Sequence, residues 1–413
     1  MPARLSKTLT NLSVIAALIL ASCPRAFAQT TSPASEPNTL LRAMQDELAR
    51  SVTGLRLGNS EKPYFIEYAV EDAEDITLAA SFGAVTTSDR TRTRILRTRV
   101  RVGSYNFDNT GFLNPAEFFT AAFSSRTLPV EDDYNALRHE LWLATDAAYK
   151  TAIAQFGRKQ AFVQNRQTDD ATPDFSREMP TDFVGEKDFE TSFPQVEWER
   201  RVREMSNVFR DFATVQESNV TLRVRFKCEY LVNSEGTRVR EPSTLLSLET
   251  RAAVQSTDGT RLQNTSSARG RDLDELPAHE AMLKDVRWMA EHLTALARAP
   301  ILADNYAGPV LFTGQASAEM FAQILAPHLA DERLPLADSD DLLEALGYRR
   351  SGLADRVGRP VLPRAFDVTD DPTSQVIGFV SAGGGSGSSV SKSSETHTSV
   401  SYTHLTLPTK RIV

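Results

Sequence analysis

Two places in the chain begin like a zinc-peptidase helix. His279-Glu280 and His139-Glu140 each set an imidazole beside a carboxylate in a segment of helical periodicity. In such helices two histidines one turn apart reach one metal from the same face, and the glutamate between them serves as general base on the metal-bound water. Neither place completes the pattern. After His279, the second histidine of H-E-x-x-H would fall on Leu283 and that of H-E-x-x-x-H on Lys284. His292 follows Glu291 on the same helix, but thirteen residues of helical rise amount to about 20 Å, too far to share one ion. His139-Glu140 has no second histidine, so both places read as polar helix positions. His328, after Pro327 near a helix end, suits a contact with the C-terminal dipole better than ligation. No G-x-S-x-G elbow, phosphate loop or dinucleotide fingerprint is present, and Gly383–Gly387 lacks the strand-to-helix context that a phosphate loop needs.

The other candidates lie on a strand. From Val220 to Val232, Val, Leu, Val, Phe, Cys, Tyr and Val alternate with Thr221, Arg223, Arg225, Lys227 and Glu229. Period two gives one buried and one wet face. The wet face carries Arg223, Arg225 and Lys227, which could guide peptide carboxylates or backbone carbonyls; an ordinary solvated sheet face is the competing reading. Cys228 falls on the buried side as a small hydrophobe.

The elements that would position these residues follow from periodicity. Leu41, Met44, Leu48, Val52 and Leu55 predict a first amphipathic helix. Pro63–Val70, Ile76–Val85 and Arg94–Val102 predict three strands. Gly103–Tyr105 and Asp108–Gly111 are turn chemistry. Long helices are expected over Asp132–Gln155 and along Trp198, Val202, Met205, Phe209 and Phe212, joined by a polar, surface-lying connection, Gln167–Phe193. The 220–232 strand turns at Asn233–Gly236 into a strand over Ser247–Ser256, then at Thr257–Thr260, giving an antiparallel meander. A helix over His279–Ala297 follows, with Met282, Val286, Met289, Leu293 and Leu296 inward. Gly308–Asp331 reads as a short strand, a turn and an amphipathic helix, and Asp338–Asp340 would cap a helix over Asp341–Leu346.

Composition sets bounds. The chain has 413 residues, 41% hydrophobic and 24% charged, ordinary for a soluble protein of two or three domains. A net charge of −8 argues against general nucleic-acid binding. Residues 1–28 read as a secretion signal: Arg4 and Lys7, an apolar Leu12–Ala21 run too short to span a membrane, and Ala26-Phe27-Ala28 as cleavage site. Leu20–Cys23 is also a lipobox-like stretch that would anchor the protein through Cys23, although Pro24-Arg25 directly after it is unusual. Either route places the mature protein outside the cytoplasm, in the periplasm or envelope, with no transmembrane segment after signal removal. Cleavage after Ala28 leaves Cys228 without a disulfide partner. At the other end, Gly383–Ser394 is a Gly/Ser run, and Ser401–Thr409, SYTHLTLPT, reads as a translated sequencing adapter. The expectation is that the natural protein departs from this sequence beyond about Thr373.

Five segments in order, PYFIEYAVEDAEDITLAASFGAV (Pro63–Val85), RVRVGSYNFDNTGF (Arg99–Phe112), YLVNSEGTRVREPSTLLSLETRAAVQSTDGT (Tyr230–Thr260), YAGPVLFTGQASAEMFAQILAP (Tyr306–Pro327) and AFDVTDDPT (Ala365–Thr373), resemble the TldD/PmbA family, particularly its exported branch. The resemblance spans residues 38–373. It implies an α+β chain: an N-terminal α/β domain over 29–298, with antiparallel meander and long amphipathic helices, then the start of a mainly antiparallel β domain over 299–373. The two domains would enclose a chamber for flexible peptides. In TldD-type members a helix bearing H-E-x-x-x-H binds zinc and a distal cysteine completes the site. The corresponding helix here offers Phe321, Ala322, Gln323 and Ala326, so no ligand carries over. PmbA-type members also lack the motif and work beside a TldD-type subunit. The expectation is therefore a metal-free subunit, paired with a TldD/PmbA-like chain that holds the zinc. Two alternatives stay open: a metallopeptidase whose ligands lie elsewhere, and a non-catalytic peptide-binding envelope protein.

Overall fold

The computed structural model describes residues 38–113, 125–164, 172–185 and 192–300, pieces of the following region (307–312, 315–329, 333–337, 340–348, 352–353, 356 and 358–363), and the pairs 379–380 and 390–391. The secretion signal with Cys23, the Asp338-Ser339 cap, Ala365–Thr373 and the adapter-like tail lie outside the described residues.

The strands expected before residue 300 are present but longer. Three predicted runs form two 19-residue strands, β1 (Pro63–Ser81) and β2 (Ala84–Val102), with helix α1 (Thr39–Gly54) before them. The polar stretch Glu71–Asp75 does not interrupt β1, because it is paired in register with arginines: Asp72 lies opposite Arg94 and Glu74 opposite Arg92. A hairpin joins the strands through Phe82 (φ 46°) and Gly83 (φ 79°), a left-handed pair suited to a two-residue turn. A Cβ on Gly83 would also meet the Asn207 side chain at 2.7 Å.

After β3 (Ser125–Thr127), helix α2 (Tyr134–Gln164), β4 (Asp182–Val184) and helix α3 (Gln195–Asn207) come β5 (Val215–Asn233), β6 (Arg238–Gln255) and β7 (Arg261–Gly270). The sheet has seven strands in the order β3-β2-β1-β5-β6-β4, with β7 also on β6. All neighbours are antiparallel except β4, parallel to β6. Helix α4 (His279–Leu296) follows, then α5 (Gln315–Ile324), α6 (Ala326–Leu329) and α7 (Asp340–Ala345), and a two-residue pair β8 (Phe379–Val380) and β9 (Val390–Ser391). The chain is thus α+β.

Among the described residues, helices cover only one face of the long strands. Every even residue of β5 from Val220 to Val232 is buried. These residues divide between two cores arranged along the strands. In one, Ile76, Leu78, Val220, Leu222, Val224 and Leu248 pack against Trp198, Val202 and Met205 of α3 and Met282, Val286, Met289 and Leu293 of α4. In the other, Ile66, Tyr68, Val70, Leu96, Cys228 and Tyr230 meet Leu40, Met44 and Leu48 of α1 and Leu137, Leu141 and Tyr149 of α2. Leu296 and Val52, expected inward, are exposed; Glu47 and Ser51 take the buried side of α1 instead. They can do so because Glu47 accepts from Arg50, from Arg138 of α2 at 2.9 Å and from Ser51.

Between the cores, on the same covered face, lies a band of charge. Asp72 accepts from Arg94 at 2.6 Å and, through both oxygens, from Arg92 at 3.0–3.1 Å; Arg90 donates to Glu74 at 2.6 Å. Arg94, only 2% exposed, also donates to the Pro129 carbonyl and Asp132. Removing one member of a buried pair strands the other, which typically costs about 3–5 kcal/mol, whereas a half-exposed pair contributes about 0–1 kcal/mol. Asp72→Ala is therefore expected to lower stability in urea by about 3–5 kcal/mol and Arg92→Ala by no more than about 1 kcal/mol. Equal losses would contradict the placement of Asp72 beneath Arg94.

Candidate functional site

Among the described residues no helix covers the odd-numbered face of the sheet. One end is crossed by the segment 172–185. Its Phe175 ring meets Phe65 edge-on at 4.9 Å and stacks on Tyr105 at 5.9 Å, while the Arg101 guanidinium lies 3.9 Å over the Phe175 ring. Backbone bonds from Phe175 to Tyr105, from Arg238 to Thr181 and from Gly185 to Arg240 fix this strap. Beneath it Glu67 is buried; burial pushes its carboxyl up, and Arg99 at 3.0 Å offsets only part of that.

At the same end a polar cluster ties the strap to the helices. Asp108, fully buried, accepts from Tyr64 Oη at 2.7 Å, Arg101 Nη1 at 2.7 Å and the Thr110 amide and hydroxyl at 2.7 Å. Asp174 accepts from the Asp108 amide at 2.8 Å, Lys159 Nζ at 2.5 Å and Arg333 at 3.1 Å. Burial, with Asp108 as acceptor, drives the Tyr64 phenol well above 10. Burial also pushes the Asp108 carboxyl up, but Arg101, Tyr64 and Thr110 together outweigh it, leaving it below the ordinary 3.8. These groups are packed against one another, so the cluster is a clamp rather than a reaction centre. It also holds a later part of the chain: Leu336 forms a parallel bridge to Phe112, with the Leu336 amide 2.7 Å from Gly111 O and the Leu113 amide 2.8 Å from Leu336 O.

Among the described residues the rest of the odd face is uncovered, and it carries the cations read from the sequence. Arg225 donates to Glu71 at 2.6 Å and lies 3.8 Å from Asp75; Lys227 donates to Glu229 at 2.9 Å. Both are exposed to some degree yet already neutralised. Arg223 is exposed and forms no ion pair among the described residues.

The segment that the sequence resemblance sets at a metal-binding helix departs from its predicted form. No strand forms at 308–312, where Val310, Leu311 and Phe312 are exposed, Leu311 at 87%. Helix α5 is present as expected, but Phe321, Ala322 and Gln323 are all exposed, as is Ala326 at the start of α6. Gln323 bonds Glu319 at 3.3 Å, the one acidic side chain of α5. An amide, an aromatic ring and two methyl groups do not fit a zinc ion, which takes thiolate, imidazole or carboxylate donors. Among the described residues no group of three or more His, Cys, Asp or Glu is placed to hold a metal. His279 bonds Glu204 at 2.8 Å, His292 stacks on Trp288 with centroids 5.0 Å apart, and His139 lies 6.0 Å from the Trp142 ring. Burial pushes the Cys228 thiol up to about 11, as expected of an inert core residue. A cavity of about 20 Å³ between α4 and the sheet, lined by Met205, Met282 and Asp285, has room for water but not for a substrate.

The clamp was missed from sequence because its members come from five distant segments. One signal was available. The buried residues of α2, Leu137, Leu141, Thr145, Tyr149, Ala152 and Phe156, continue at helical spacing to Lys159. A lysine on an inward stripe calls for a buried carboxylate.

Solved structures with a similar arrangement include TldE from Thermococcus kodakarensis (12% identity, TM-score 0.35, covering 60% of this chain and 47% of that one). A proposed modulator of a DNA gyrase from Thermotoga maritima (9%, 0.33, 56% and 44%) and a proposed modulator of DNA gyrase from Bacteroides thetaiotaomicron (8%, 0.36, 59% and 48%) are similar to the same extent. The chain spans about half the length of the structures it matches. No family model matches it and no curated protein matches it. No helix among the described residues is long and apolar enough to cross a membrane.

Two outcomes follow from the clamp. Arg333→Ala should speed hydrogen exchange at the Leu336 and Leu113 amides while changing global stability by no more than about 1 kcal/mol, since Arg333 is partly exposed; unchanged exchange at both amides would refute the latch. The depressed Asp108 carboxyl contributes stability that is fully present above pH 3.8 and is lost as pH falls through its folded value. Asp108→Asn should therefore flatten the acid limb of the urea midpoint against pH, and limbs that stay parallel to wild type would exclude this assignment.

Proposed function

We propose that this chain is the subunit without its own metal in an exported TldD/PmbA-type peptidase pair, and that its open sheet face meets flexible peptides. One observation supports the reading: the helix that the sequence resemblance sets at the family's zinc helix carries Phe321, Ala322, Gln323 and, one turn on, Ala326. Hydrolysis in such a pair would draw its activated water from the other polypeptide, and this chain would contribute surface. The open face suits that task. Its strands are backed by two cores, and its charges are mixed, so it offers a peptide both cationic and anionic contacts. The basic start, apolar run and Ala26-Phe27-Ala28 of the N-terminus support export.

The test uses the purified full-length protein alone and with a TldD-like chain bearing H-E-x-x-x-H. Zinc content by mass spectrometry and cleavage of an unfolded peptide are measured. The expected result is zinc well below one equivalent and no cleavage by the protein alone, with chelator-sensitive cleavage on adding the partner. Stoichiometric zinc together with cleavage by the isolated protein would overturn the proposal in favour of a self-sufficient metallopeptidase. Peptide binding without cleavage in either arm would favour a non-catalytic binding protein.

A further inference from the structure

The structure narrows the cationic face and adds a residue that the strand pattern did not reveal. From the strand pairing we infer that Arg223 and Arg269, with Ser247 between them, form a seat for a carboxylate on the open face. The inference rests on the peptide-handling reading above and deepens it.

Asp89, Thr77, Arg223, Ser247 and Arg269 are successive cross-strand partners on β2, β1, β5, β6 and β7, so they form one row across the sheet. Arg223 and Arg269 are exposed on the face opposite the cores, as is Asp89. With strands about 4.8 Å apart, the two arginines start about 10 Å from each other, directly either side of Ser247. Two long guanidinium arms at that spacing can lean inward onto one carboxylate, with the serine hydroxyl as a third donor beneath it.

The surrounding charges explain why these two are available. Arg225 is held by Glu71 and Asp75, Lys227 by Glu229 and Arg251 by Glu249. Neither Arg223 nor Arg269 has an acidic partner among the described residues. Arg97, similarly unpaired on this face, lies opposite Ala69, eight residues along β1 from Thr77, or about 27 Å away. Asp89 closes the other end of the row, about 10 Å beyond Arg223. It repels a second carboxylate there, so an anion is directed to the Ser247 position. The ligand class is a carboxylate, supplied either by the free end of a peptide or by an acidic side chain.

The test compares three labelled, unstructured peptides of Gly, Ala, Ser and Thr: one with a free carboxyl terminus, one amidated, and one amidated with a single internal glutamate. Binding to the full chain is read by fluorescence anisotropy at about 50 mM salt, where exposed charges are not fully screened. One or both carboxylate-bearing peptides should bind about tenfold tighter than the plain amidated one, and the one preferred identifies the source. Arg223→Ala/Arg269→Ala should erase the difference. Arg203→Ala/Arg298→Ala, which removes the same charge from α3 and from beyond the end of α4, should keep it. A wild-type protein indifferent to the carboxylate, or a preference that survives the double substitution, sinks the seat but leaves peptide handling standing. No binding of any of the three peptides removes both.

Discussion

Asp72 and Arg94 face each other across two antiparallel strands on the side of the sheet that the helices cover. Neither charge has substantial access to water. The pair, extended by Arg92, Arg90 and Glu74, lets β1 and β2 pass through a polar stretch without a break. A buried ion pair adds little net stability against a well-packed apolar alternative, but it fixes register strongly, because a slip would leave every charge unmatched. That register carries the rest. It aligns the apolar even residues of two cores along single strands, and it sets every row of the opposite face.

The asymmetry between the faces follows. Helices α1 and α2 close one core and α3 and α4 the other, so all four lie on the even side. Among the described residues the odd side carries a strap at one end and no other layer. The clamp of Asp108, Lys159 and Asp174 wraps the sheet end, joins strap to helix and takes hold of Arg333 and Leu336 from the later chain. What remains open is a rigid surface of paired charges, with an uncompensated pair of arginines in one row.

Much of this was legible in the sequence. The alternation from Val220 to Val232 gave strand, face and burial correctly because a half-buried strand leaves a period that nothing else imitates. The helices at 39–54 and 279–296 were equally plain. The strand joint was not: Glu-Asp-Ala-Glu-Asp looks like a loop until the arginines sixteen to twenty-two residues later are placed opposite it. The predicted site was legible only in part. Arg223, Arg225 and Lys227 share a face as expected, but the pairing of Arg225 with Glu71 and Asp75 depends on register and diagonal contacts, and Arg269 reaches the row of Arg223 only through two further strands. The short strand expected before α5 failed because apolar, β-forming residues such as Val310 and Leu311 make a strand only where a partner edge is present.

The account stands on the open odd face being the working surface of the chain. A short unstructured peptide carrying a photo-reactive phenylalanine analogue, cross-linked to the full-length protein and mapped by mass spectrometry, reads this directly. The account predicts attachment along β1, β5, β6 and β7 at odd-numbered positions around Thr77, Ser247 and Ser267. Attachment concentrated on α5 or on the helices behind the sheet would contradict it.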